Sequence, residues 1–275
     1  MFRRFRFALV AVFLVSLSSS AIGGNDVTRL SRQLSQDKDF RMRVQAALEL
    51  GKSADGRALQ PLYKALRDPS AAVRAAAAAA LKTLGDPAAL PELAKHNGDE
   101  NESVRRQVAG AIWALKAQKT RDEDRRRYAK VLVKLGKLHN GTNVSSSQAL
   151  FAVKKASRSE LDRLPGIAVL NASEDVEGAA AAHRLPVVLL TGSIRQLDAT
   201  KEGSEFVYSA AVDYVVHRMP DQSIVATVTG RAQARASEVE VRDRKRREAL
   251  RLEVIDAAVA SAIQRTPRAL LAAAD

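Results

Sequence analysis

The residues of this chain with the most regular chemistry are acids and arginines. Asp37, Asp68 and Asp99 stand 31 residues apart, as do Arg43, Arg74 and Arg105, with six residues from each aspartate to its arginine. A 20–50-residue period in a helical sequence signals stacked repeats, which act by contact more than by chemistry. The other reactive side chains give no catalytic pattern. His96, His139, His183 and His217 fall on separate segments without metal-ligand spacing. Thr191-Gly192-Ser193 and Thr229-Gly230 lack the further glycines and lysine of a phosphate loop, and Gly230 suits a strand bend or bulge. There is no nucleophile elbow, and no Ser-x-x-Lys signature with its accompanying Ser-Asp-Asn and Lys-Thr-Gly motifs. The chain contains no cysteine, which closes disulfides, thiol catalysis and thiolate metal sites. The expectation is a protein that is not an enzyme and holds no cofactor and no metal.

The elements that position the two ladders follow the same period. Met42, Val73 and Val104 precede the arginines, and Leu50, Leu81 and Ile112 are equivalent, as are Leu59/Leu90 and Leu62/Leu93. Each unit reads as two short helices. Asp68-Pro69 and Asp86-Pro87 look like N-caps followed by proline at N1. Gly51 and Gly85 fall where a left-handed C-cap is wanted. The run Ala75–Ala80 favours helix and lets neighbouring helices approach closely.

Arg57-Ala58-Leu59-Gln60-Pro61-Leu62, Arg67-Asp68-Pro69-Ser70-Ala71-Ala72-Val73-Arg74 and Leu84-Gly85-Asp86-Pro87-Ala88-Ala89-Leu90-Pro91-Glu92-Leu93 together resemble the HEAT-repeat family, in the short form that accompanies bilin-lyase-like proteins. The resemblance spans residues 26–118 and implies an α-solenoid. It also implies that Asp37, Arg43, Asp68, Arg74, Asp99 and Arg105 form a structural hydrogen-bond ladder between repeats. Val27, Leu30 and Leu34 fit the first-helix template poorly, as in a terminal capping unit.

The N-terminus indicates the compartment. Arg3, Arg4 and Arg6 precede an apolar run from Phe7 to Leu17 broken only by Ser16, and Ser18-Ser19-Ser20-Ala21 follows. This is the pattern of a secretory signal peptide over residues 1–21. As a helix the run would be about 16 Å long, against the ~30 Å of a bilayer core. The expectation is a periplasmic or secreted mature chain without a transmembrane span.

The formal charge is +13, and removing residues 1–21 leaves +10. The excess sits in Arg121–Lys137 and Arg242–Arg251. Asp122, Glu123, Asp124, Asp243 and Glu248 interrupt both runs, which fits solvated helix faces; contact with an anionic envelope surface is the other reading. Nucleic acid is not expected, because aromatic residues are 4% of the chain and no stacking platform interleaves with the basic residues. Asn101, Asn140, Asn143 and Asn171 carry Asn-x-Ser/Thr sequons, inert in a bacterium.

After residue 118 the period ends. Residues 119–127 read as a linker or short helix, 128–266 as a second domain and 267–275 as a tail. Strands are expected over 128–138, 166–171, 186–197, 205–218 and 223–234, with helices over 148–164, 174–183 and 243–264. The order βαβαβββα describes an α+β domain with a mixed sheet. Val131-Leu132-Val133-Lys134-Leu135-Gly136, Gly166-Ile167-Ala168-Val169-Leu170, Val188-Leu189-Leu190-Thr191-Gly192-Ser193-Ile194 and the helix Leu252–Ile263 give it a pattern similar to the anticodon-binding-like α/β domain. That domain occurs in curli-secretion proteins and at the N-terminus of the translocation protein TolB. The likeness implies an interaction domain of envelope proteins.

The reading is therefore a multidomain chain, a HEAT α-solenoid followed by an α+β domain, serving as an exported scaffold for another protein in an envelope complex. The alternatives are an accessory or chaperone-like factor for an enzyme, and a basic protein that binds polyanions. Candidate partner-binding residues are Lys82, Arg106 and Trp113. Trp113 is the only tryptophan and occupies the position of Gly51 and Lys82. It suits a binding contact or a cap between the two domains.

Overall fold

A computed structural model describes residues 22–142 and 147–274. The signal-peptide reading of residues 1–21 and the sequon at Asn143 lie outside the described residues. A helical region comes first and a mixed-sheet domain follows.

The helical region is built from pairs: α1 (Ile22–Gln36) with α2 (Phe40–Lys52), α3 (Leu59–Ala65) with α4 (Ala71–Leu84), and α5 (Leu90–Lys95) with α6 (Glu102–Arg127). Val27, Leu30 and Leu34 bury the inner stripe of α1 against the other helices. The second helices of the pairs stack side by side, α2 on α4 and α4 on α6. Their inward positions are small: Ala46 and Ala47 on α2, and Ala76, Ala77, Ala78 and Ala80 on α4, are all buried. Each second helix has its own N-cap. Asp39 accepts from Arg41 N, Asn101 from Ser103 N and Val104 N, and Ser70 precedes α4 in extended backbone. Asp68 instead accepts from Ser70 N at 2.8 Å, so Asp68-Pro69 is not the cap read from the sequence. Gly85 does end α4 in the left-handed region, at φ 71°. Gly51 does not end a helix. It lies inside α2, where an added Cβ would stand 2.7 Å from Ala80 Cα, so it permits close helix approach.

The expected linker at 119–127 is a further correction. α6 runs unbroken for 26 residues through it, and its far end lies against the second domain.

That domain contains β1 (Val131–Asn140), α7 (Ser147–Leu161), β2 (Ile167–Val169), α8 (Val176–His183), β3 (Val187–Glu202), β4 (Glu205–Arg218), β5 (Ile224–Ser237), α9 (Glu238–Arg242), α10 (Arg244–Ile263) and α11 (Pro267–Ala272). The sheet order is β2-β1-β3-β4-β5, with β1 parallel to β2 and β3, and β3, β4 and β5 antiparallel in turn. Strand alternation divides β1 between two faces. Val131 and Val133 enter the main core with α7 and α10, whereas Leu132 joins Ala168, Leu170, Ala179 and Val187 in a smaller core on the other face. Gly230 pairs with Val212 in unbroken register. It relieves no bulge. An added Cβ would collide with the Ala258 carbonyl oxygen and stand 2.6 Å from Ala262 N, so glycine is needed there to seat α10 on the sheet. The segment read as a tail, 267–275, holds α11, which buries Leu270.

Candidate functional site

The three ladder arginines share one pose. Arg43 Nη1 donates to the carbonyls of Asp37 (2.9 Å) and Lys38 (3.2 Å). Arg74 Nη1 does the same to Asp68 (3.0 Å) and Pro69 (3.4 Å). Arg105 Nη1 bonds Asp99 O at 2.7 Å and Glu100 O at 3.0 Å. Each guanidinium thus ties down the loop of its own unit and turns its other edge, Nε and Nη2, towards the next.

For the first two that edge is filled. Arg43 meets the Asp68 carboxylate at 2.8 and 2.9 Å, and Arg74 meets Asp99 at 2.8 and 3.0 Å. Both are two-pronged pairs, and Arg74 and Asp99 are mostly buried, at 9% and 7% side-chain exposure. The Arg74 hydrogen bonds hold the Asp99 carboxyl below the ordinary aspartate range. Burial alone would push Asp68 up, but Arg43 and the Ser70 N–H outweigh it and hold that carboxyl down as well. Arg105 has no carboxylate partner among the described residues. The aspartate expected 25 residues further on is replaced by Lys130.

The same vacancy is visible in the packing. In the second unit Leu59, Leu66, Ala78 and Leu81 are buried against the third. Their equivalents 31 residues on are Leu90 and Ile112, half-buried, and Asn97 and Ala109, exposed. These four, with Ala94, Trp113 and Lys116, line an open groove of about 430 Å³. It is the face on which a further repeat would stack. Tyr63 closes the corresponding place in the second unit by donating to Ala88 O at 3.0 Å, and its equivalent, Ala94, leaves the place open. Trp113 is 75% exposed. It lies in this groove and does not cap the junction between the domains, so that alternative is overturned.

Lys82 is exposed on the last turn of α4, and Arg106 is exposed beside Glu102 at 3.4 Å. Arg106 and Trp113 are seven residues apart and share one stripe of α6; Lys82 stands on a different helix. Leu90, Asn97, Ala109, Ile112 and Lys116 were missed in the sequence. A position-by-position comparison at the 31-residue offset would have found them, since Leu66 gives way to Asn97 and Gly85 to Lys116.

The basic run at 121–127 is not a uniformly solvated face. Asp122, buried on α6, accepts from Arg158 of α7 at 3.0 Å, Arg125 meets Asp162 at 3.2 Å, and Arg126 meets Glu174 at 2.6 Å. Lys134 donates to the carbonyls of Asn171 (2.7 Å) and Ala172 (3.0 Å), and Lys154 reaches the Ser53 carbonyl of the repeat region. Burial pushes both ammonium groups below the ordinary lysine range and the Asp162 carboxyl up. The histidines remain apart: His96 lies 3.9 Å from Glu92, His183 faces Arg126, His217 bonds Thr191, and His139 is exposed. Asn171 is buried, so its sequon could not be glycosylated in the folded chain.

Residues 27–116 match the model of HEAT repeats. No curated protein sequence matches the chain. Solved structures similar to part of the chain include the PelC dodecamer from Paraburkholderia phytofirmans, with 7% identity over 49% of this chain and 89% of that one, at a TM-score of 0.28. A minor lipoprotein from Acinetobacter baumannii gives 12% identity over 50% and 92%, at 0.29. Lipoprotein GNA1162 from Neisseria meningitidis gives 13% over 40% and 84%, at 0.26. No functional assignment follows from likenesses of this size.

Proposed function

We propose that this chain is an exported, non-enzymatic scaffold of the bacterial envelope. Its HEAT-type helix pairs form a short solenoid, and the open end of that solenoid captures another protein. The observation that carries the reading is the groove around Trp113. Leu66, Ala78 and Leu81 are buried in the second unit, and the equivalent surface of the third unit is uncovered beside an exposed tryptophan. Apolar surface with a large aromatic at its centre is the make-up of a binding hot spot. The sheet domain, joined to the repeats along α6, gives the complex a second docking surface. The envelope location rests on the arginine-led apolar segment at residues 1–21. Among the described residues no helix is long and apolar enough to cross a membrane.

Capture of partners from the native envelope fraction tests the reading. Trp113→Ala is expected to abolish retention of a specific partner while leaving the circular-dichroism melt nearly unchanged. Retention equal to that of the unaltered protein would overturn it. Intact-mass measurement of the natively expressed protein tests export, and a chain still beginning at Met1 and confined to the cytoplasm would remove the envelope from the proposal.

A further inference from the structure

The open face has a counterpart at the other end of the array. Asp37 occupies the place of Asp68 and Asp99, and all three carboxylates are held alike, each accepting the backbone N–H two residues on, at 3.0, 2.8 and 2.9 Å. Asp68 and Asp99 use their remaining capacity on the arginine of the preceding unit. Among the described residues no unit precedes Asp37, and its carboxylate takes no side-chain hydrogen bond from a cation. The packing matches. Met42 is 39% exposed, whereas its equivalents Val73 and Val104 are fully buried.

One end therefore presents a guanidinium already fixed by its loop carbonyls, with its two-pronged edge unfilled, and the other presents a carboxylate in the receiving pose. The internal interfaces show that these two half-sites fit: Arg43–Asp68 and Arg74–Asp99 are the same contact made twice within the chain. We propose that the open face is occupied by a second copy of this chain, stacked head to tail, with Arg105 of one copy taking Asp37 of the next. The proposal rests on the reading of the array as an interaction scaffold and names its partner. Ile112 and Ala109 would then be covered as Leu81 and Ala78 are. Trp113 would lie at the edge of the contact, as exposed Lys82 does at the internal one. Such a contact uses different surfaces on the two copies, so it leaves one end free and continues into a filament unless the rotation closes a ring.

Sedimentation velocity on the purified full chain over a range of concentration and salt tests this. Association beyond a dimer, weakened by salt, is expected. Arg105→Gln and Asp37→Asn should each weaken it about tenfold or more, with melts lowered far less than by Arg74→Ala. The two together should weaken it no further than either alone, because one contact is broken once. Arg105→Lys, which keeps the charge but not the fork, should weaken it as well, and Arg195→Gln, at an exposed position on β3 of the sheet domain, should not. A chain that stays monomeric, association indifferent to these substitutions, or losses that simply add would overturn the head-to-tail contact. None of these results bears on capture of a different protein through Trp113, so this inference and the broader scaffold reading fail separately.

Discussion

The second and third repeat units are near copies in sequence, yet one presents a sealed face and the other an open one. Leu81 is fully buried where Ile112 is half-exposed, and Arg74 is filled by Asp99 where Arg105 meets no acid among the described residues. The local chain is the same in both cases, down to the arginine bonded to its own loop. What differs is whether another unit follows. A repeat cannot bury its own end face, so a last unit with no cap over it leaves that face open. Here the chain departs through a lengthened α6, and the junction with the sheet domain lies elsewhere along that helix.

This contrast can be broken by substitution. The largest effect is expected for Leu81→Ala, about 2–5 kcal/mol lost from a fully packed site, against roughly 1 kcal/mol for Ile112→Ala at the half-open equivalent. Chemical denaturation of the two variants checks it, and equal losses would mean that the third unit is as sealed as the second. Arg74→Ala comes next. It strips a charged, two-pronged bond from largely buried Asp99, at a cost of about 2–3 kcal/mol. Arg106→Ala removes only an exposed pair with Glu102, worth about 0–1 kcal/mol. A thermal scan in which the two variants melt together would remove the ladder from the account of stability.

Acid should separate the ladder from the junction. Asp68 and Asp99 have depressed carboxyl pKa values, so their stabilisation is present above about pH 4, near the unfolded value, and is lost as pH falls through the folded one. Asp162 is raised by burial, so the stability it contributes is fully present below about pH 4 and is lost as pH rises through its folded value. Lys134 and Lys154 are depressed by burial, and their cost is relieved only as pH rises towards about 10. Peptide-resolved hydrogen exchange should therefore show residues 40–105 losing protection between pH 5 and pH 3 before 150–170 do. The reverse order would contradict the pairing of the ladder. The smallest effect belongs to Trp113→Ala, within about 0.5 kcal/mol in the isolated protein, because the side chain has little packing to lose. A larger destabilisation would contradict its exposure.

Much of the fold was legible because its signals are local. The 31-residue period marks the repeats, and the strand expected over 205–218 coincides with β4 along its whole length. Gly85 was legible because a left-handed residue after an apolar turn is a one-position signal. Gly51 and Gly230 were misread because their reason is a helix arriving from elsewhere in the chain, Ala80 in one case and Ala258–Ala262 in the other. The charged stretch 119–127 reads as a linker by composition, yet Asp122, Arg125 and Arg126 find partners on the sheet domain that hold it helical.

By itself the sequence determined the helical repeats, the strand-rich second half and the residues that recur at each period, because backbone propensity and hydrophobic spacing act over a few neighbours. Only the tertiary structure decided which of those recurring residues are spent on internal packing and which are left exposed. Leu81 and Ile112, or Arg74 and Arg105, are alike in type and register. They differ in what lies across from them, and burial and charge pairing are properties of that second surface.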